Sequence, residues 1–201
     1  MAITSSAEPR LDATRELVRR SRTGDELAFA SLVEAHQAAV FGTVLRLVHD
    51  REVAAEVSNR AFFKAYQHLD SFDETRPLGA WLVRIAANEA LNELRTRRRD
   101  AMYAFSGEAA EIAFEHLPGG SDPADLVREQ EQSARIRAAV RRLPEPQRAV
   151  VVLRYFADLS YADIAEVTSQ SVNSVGVTLL RARERLRRDL EAQGVATDGL
   201  P

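Results

Sequence analysis

The chain contains no cysteine, which removes disulfides, thiolate metal sites, iron–sulfur clusters and thiol nucleophiles together. Only 7 prolines and 9 glycines occur in 201 residues, so collagen-like and low-complexity classes are excluded. Aromatic residues make up 6%, while alanine, leucine and arginine dominate, as in helical proteins. Lysine is nearly absent, since Lys64 is the one lysine among 27 basic residues. That bias fits arginine-based phosphate binding and equally the codon usage of a GC-rich genome. Residues 1–22 lack an apolar core followed by a small-residue cleavage site, and no run approaches the ~18 consecutive apolar residues of a membrane helix. A soluble, cytoplasmic protein is expected. The histidines His36, His49, His68 and His116 show no His-Glu-x-x-His spacing, and no Gly-rich phosphate loop or Gly-x-Ser-x-Gly elbow is present. No catalytic site, metal or cofactor is therefore expected.

The net charge of −3 looks wrong for a nucleic-acid binder until it is divided along the chain. Residues 100–127 hold six acids and no Arg or Lys, whereas residues 128–193 hold twelve arginines against nine acids. Residues 24–99 are balanced, with ten basic and eleven acidic side chains. Acidity is thus concentrated in one middle segment.

Apolar residues recur at helical spacing through most of the first hundred residues. A short helix is predicted over Asp12–Arg22. A longer one starting at Gly24-Asp25-Glu26 carries Leu27, Phe29, Leu32, Val33, Val40, Phe41, Val44, Leu45 and Val48 as one stripe. A third runs from about Arg51 to His68, with Val57, Ala61, Phe62, Ala65, Tyr66 and Leu69 inward. A fourth begins after Pro77, a residue suited to a first helical turn, and runs out in Arg95–Arg99. The pattern then fails, and Pro118-Gly119-Gly120-Ser121-Asp122-Pro123 is the strongest break in the chain. Beyond it, helices are predicted over Asp125–Leu143, Gln147–Phe156, Tyr161–Val167 and from Ser171 onward. Ser160 with Asp163 three residues on makes a capping-box-like start. The expected fold class is all-α. It comprises an N-terminal extension (1–23), one helical domain (24–99), an acidic flexible linker (100–124), a second helical domain (125–193) and a tail (194–201).

Ile164, Ala165 and Val167, followed by a tight connection and a helix with Val172, Val175 and Leu179 inward, have the arrangement of a helix-turn-helix. An ordinary helical hairpin would show the same pattern. Three stretches go further: Leu143-Pro144-Glu145-Pro146-Gln147-Arg148-Ala149-Val150-Val151-Val152-Leu153-Arg154-Tyr155, then Leu159-Ser160-Tyr161-Ala162-Asp163-Ile164-Ala165-Glu166, then Arg181-Ala182-Arg183-Glu184-Arg185-Leu186. They closely resemble the promoter-reading domain four of bacterial ECF (extracytoplasmic function) sigma factors. Gly24–Phe29, Phe62-Phe63-Lys64-Ala65-Tyr66 and Pro77–Asn88 resemble the family's domain two, in the same order and with the linker between.

The resemblance implies a transcription initiation factor that binds core RNA polymerase and promoter DNA, with no membrane insertion. The third helix would hold the polymerase clamp through Glu52, Glu56, Asn59, Arg60 and Lys64. The fourth helix and the loop before it would melt and read the minus-10 element through Phe72, Trp81, Arg84, Asn88, Asn92, Arg95, Arg97 and Arg98. Aromatic and amide groups suit unstacked bases, and arginines suit phosphates. On residue type alone Trp81 fits the core equally well, and the Arg95–Arg99 run fits a solvated helix end. The helix-turn-helix would read the minus-35 element through Ser171, Asn173, Ser174, Thr178, Arg181 and Arg183.

Two departures from the family pattern stand out. Where the family usually carries Asp-Ala-Glu-Asp and then Gln-Glu, this chain reads Val53-Ala54-Ala55-Glu56 and Asn59-Arg60. Weakened clamp binding follows if the polymerase surface there is basic, and Arg60 at i+4 is placed to neutralise Glu56. Ser58 is then a candidate phosphorylation site, since a phosphoserine adds about −1.5 to −2 charge; a serine bonded back to its own helix is the alternative. A Ser/Thr kinase or an anti-sigma factor is a candidate regulator. On the recognition helix Gly176-Val177-Thr178 stands where the family commonly has Lys-Ser-Arg. Two competing functions remain open, a sigma-like adaptor that does not initiate transcription and a helix-turn-helix regulator acting without polymerase.

Overall fold

The computed structural model describes residues 8–103 and 133–193. All regular structure among them is helical: α1 (Glu8–Arg22), α2 (Glu26–Val48), α3 (Arg51–Gln67), a 3-10 turn at Leu69–Ser71, α4 (Leu78–Tyr103), α5 (residues 133–141), α6 (Glu145–Tyr155), α7 (Tyr161–Thr168) and α8 (Val172–Glu191). α4 continues past the expected run-out at Arg99 to Tyr103, into the expected linker, whose residues 104–124, with most of its acidic side chains, lie outside the described residues.

Side-chain caps set most of the boundaries. Asp25 and Asp50 accept from the backbone N–H of Ala28 and Val53, each at 3.0 Å, at the starts of α2 and α3. Ser160 and Ser171 do the same for Asp163 and Ser174 at 3.1 Å, at the starts of α7 and α8. Such caps satisfy helix-start donors that have no intrahelical partner, and each is worth about 1 kcal/mol. α2 stops because His49 turns left-handed at φ 61° and its N–H closes on the Leu45 carbonyl. Ser169, at φ 55°, makes the corresponding turn between α7 and α8.

α2 is the central helix of the first half and packs against α1, α3 and α4. By length and a mean hydropathy of 1.3 it could also cross a membrane, but core helices pass the same test. Leu32, Val40, Val44 and Leu47 are buried on it, whereas Leu27, expected inward, is 78% exposed. The 3.6-residue period puts the neighbouring Ala28 on the core side in its place. In the second half α6 is buried from Ala149 to Leu153 without interruption, because α7, α8 and α2 of the first half surround it. α7 in turn packs on α4, and one hydrophobic core runs through both halves.

Candidate nucleic-acid and partner interfaces

On the outer face of α3 the charges are already matched within the chain. Arg60 donates to Glu56 and, across to α4, to Glu93, both at 2.7 Å. Glu93 also accepts from Arg97 at 2.9 Å, and Arg97 approaches Asp50 at 3.8 Å. Lys64 donates to Glu89 of α4 at 2.9 Å. The hydrogen bonds from Arg97 and then Arg60 hold the Glu93 carboxyl below the ordinary carboxylate range, and Glu93 raises the Arg60 guanidinium. Arg60 therefore presents a neutralised charge to a partner, not the bare cation its sequence position suggests. Glu52 and Asn59 are exposed beside it.

Ser58 is 6% exposed, and its hydroxyl donates to the Ala54 carbonyl at 2.6 Å. The structure thus corrects the candidate phosphorylation site: the hydroxyl bonds back within α3 and is not presented to a kinase in this conformation. Sequence reasoning also missed an apolar element of this face. Phe63 is 65% exposed and Tyr66 37% exposed on α3. The available signal was the spacing of Phe63, four residues after Asn59 and seven after Glu56, which puts it on their polar face of the helix and not on the inward one.

Phe72, expected to meet bases, is a core residue at 6% exposure and backs the Trp81 ring at 5.1 Å between centroids. Its loop is held by Arg22 of α1, which donates to the Leu69 carbonyl at 3.2 Å and the Phe72 carbonyl at 2.7 Å, and pairs with Glu74. Trp81 is half-buried against the core. At Gly79, just before it, an added Cβ would lie 3.3 Å from His36 Nδ1, so the glycine lets α4 close on α2.

The arginines of α4 are engaged as well. Arg84 donates to Glu166 at 2.9 Å and lies 3.8 Å from Asp163, both on α7. Arg98 donates to Glu145 of α6 at 2.7 Å. Arg95 donates to Asn92 at 2.8 Å, and Asn88 is half-buried. Partly exposed pairs of this kind are worth about 0–1 kcal/mol each, so phosphates can replace the carboxylates at little cost.

On α8 the pattern differs. Ser171 caps the helix and its hydroxyl lies 2.9 Å from that of Ser174, so both are partly committed. Asn173, Arg181 and Arg183 are exposed and Thr178 is half-buried. Val172, Val177 and Leu180 are exposed on the same helix, while Val175, Leu179 and Ala182 face the core. The result is a short helix, a three-residue connection turned by the left-handed Ser169, and a long helix with one wet face, a helix-turn-helix in form.

Family models match two segments of the chain. The sigma-70 region 2 model matches residues 32–100 and the sigma-70 region 4 model matches residues 133–186. The class is therefore that of bacterial RNA polymerase sigma factors. RNA polymerase sigma-H factor of Pseudomonas aeruginosa is 36% identical over 88% of this chain and 93% of its own length. ECF RNA polymerase sigma factor SigW of Bacillus subtilis is 30% identical over 88% and 96%. Among solved structures, CnrH in complex with the cytosolic domain of CnrY is similar at 27% identity and a TM-score of 0.58, over 90% of this chain and 98% of that one. The sigma factor RpoE of Bartonella quintana, solved with the anti-sigma factor NepR, shares the fold at a TM-score of 0.64 and 23% identity, over 81% and 96%. The chain belongs to the ECF sigma factors, alternative initiation factors that bind core RNA polymerase and direct it to promoters.

Proposed function

We propose that the division of labour within this sigma factor follows its helices, in three surfaces. The exposed face of α3, with Glu52, Glu56, Asn59 and Phe63, meets the polymerase; Arg60 and Lys64 keep that face near neutral through Glu93 and Glu89. The α4 face, with Trp81, Arg84, Asn88, Asn92, Arg95, Arg97 and Arg98, takes the opened minus-10 strand. The wet face of α8, with Asn173, Thr178, Arg181 and Arg183, enters the minus-35 major groove. The factor works in the cytoplasm, catalyses nothing by itself and uses no cofactor.

The observation that carries this reading is the pairing of Arg84 with Glu166 and Asp163, and of Arg98 with Glu145. Carboxylates of the second half occupy the cations that promoter phosphates would need. In the packed arrangement the minus-10 face is self-satisfied, and it becomes available when the two halves part on polymerase. Control by an anti-sigma factor that favours the packed arrangement is consistent with these contacts. It fits the buried Ser58 better than control by phosphorylation does.

Promoter-dependent runoff transcription with purified core polymerase tests the assignment. Wild type should yield transcript, and Arg84→Ala and Arg181→Ala should lower it. The neutralisation Glu166→Gln should leave it intact or raise it. Polymerase binding without any transcript would favour the adaptor. Specific duplex binding without polymerase would favour the helix-turn-helix regulator.

A further inference from the structure

A cavity of about 760 Å³ lies where the two halves meet, lined by α2, α3, α5 and Phe156. That volume falls within the range of small-ligand sites, which run from about 300 to 1,000 Å³. Much of its wall is apolar, with Phe41, Leu45, Phe62, Val140 and Phe156 contributing. Its charged lining is of one sign. Arg46, Arg51, Arg137 and Arg141 face it, and no Asp or Glu is among its described lining residues.

Several of its polar groups are short of partners. Arg46 donates from Nη1 to the Gly42 carbonyl at 2.7 Å and lies 4.7 Å over the Phe156 ring, yet its Nε is buried with no acceptor among the described residues. Both ring nitrogens of His49 are buried without a partner among the described residues too. Buried polar atoms in folded proteins are otherwise nearly always satisfied. Burial lowers the Arg46 guanidinium, with Arg137 adding to the effect. Burial, then Arg148 and Arg141, push His49 down to about 4, so it is neutral near pH 7 and keeps one N–H to give.

We propose that this cavity binds a small anionic amphiphile, its charged head on Arg46, His49 and Arg137 and its aliphatic tail along Phe41, Leu45 and Phe156. A carboxylate or phosphate head would supply acceptors to the unpartnered donors in a charge-assisted geometry that guanidinium groups favour. The tail would cover apolar wall that otherwise faces solvent. Because the lining comes from both halves, such a ligand binds the packed arrangement and shifts the population toward it. Arg51, Ser58 and Asn59 of α3 also line the cavity, so an occupant sits alongside the α3 face assigned to polymerase and shares Asn59 with it.

Titration calorimetry of the full chain with decanoate, decanol and acetate tests the proposal without polymerase or promoter, so its failure leaves the sigma-factor assignment untouched. Decanoate should saturate at one per chain, about tenfold or more tighter than decanol, and acetate should not bind at the same concentrations. Arg137→Glu should weaken decanoate about tenfold or more with the helical circular dichroism unchanged. Ala55→Trp, which fills the cavity from the exposed side of α3, should do the same and serves if the charge reversal fails to fold. Equal affinity for decanoate and decanol overturns the proposal, as does retention of affinity by both variants. If wild type fails and Glu108→Gln/Glu111→Gln/Glu115→Gln binds, the occupant is the chain's own acidic segment and the proposal is overturned in its favour. Failure of both chains overturns it outright.

Discussion

α4 and α8 both carry arginines toward the outside, and they hold them in opposite ways. Arg84, Arg97 and Arg98 of α4 are each paired with a carboxylate, two of those carboxylates coming from the other half of the chain. Arg181 and Arg183 of α8 are exposed and make no ion pair among the described residues. At these positions the α4 face is closed by the chain's own acids and the α8 face stands open. Under the proposed assignment, a duplex contact forms first through α8, while the α4 face waits for the halves to separate.

The comparison rests on the two halves packing as one body, and the largest expected effect tests that. Leu153→Ala in α6 and Leu47→Ala in α2 each remove a fully buried side chain and should cost about 2–5 kcal/mol. With a shared core, each variant lowers the same single denaturant transition. Two transitions, each moved by only one variant, would break the comparison.

His49 supplies a pH test at the junction. Its folded value of about 4 lies below the ordinary ~6.5 of an unfolded histidine. Between those values the unfolded chain takes up a proton that the folded chain refuses, so stability falls as pH drops through that window and levels off below it. His49→Asn, which tolerates the left-handed backbone, should flatten that slope in unfolding measurements from pH 7 to pH 4. An unchanged slope would show that the halves do not bury the ring.

Gly176 sharpens the α8 side. It is half-buried within α8, with nothing within 4 Å of an added Cβ, so Gly176→Ala should stabilise by about 0.5–1 kcal/mol in chemical denaturation. A lysine there, as the family commonly shows nearby, would add a cation to the open surface without a clash. The smallest effect belongs to the closed surface. A double-mutant cycle on Arg84 and Glu166 should give a coupling of about 0.2–1 kcal/mol, screened away as salt rises. Zero coupling at low salt would remove the contact.

Much of the fold was legible because local chemistry determined it. Asp25, Asp50 and Ser160 cap where sequence spacing places helix starts, and Pro77 and Pro144 sit where helices begin. The family's motifs brought the helix-turn-helix and the paired sigma regions with them. What periodicity could not supply was direction and distant pairing. Leu27 and Phe72 exchanged places with expectation because apolar character does not say which side of a turn meets the core. The Glu56–Arg60 pair was readable at i, i+4, but the link on to Glu93 joins residues 33 apart. The bond from Arg84 to Glu166 spans 82, and only the packing of α4 on α7 brings those two together.

Arg22 adds a last point. By sequence the first helix is a leading extension with no assigned task, yet its final arginine rivets the carbonyls of Leu69 and Phe72 and the carboxylate of Glu74. The hairpin in front of α4 therefore takes its shape from the opposite end of the domain. Trimming the first helix, or replacing Arg22 with an uncharged residue, would unfasten the loop that holds Phe72 behind Trp81.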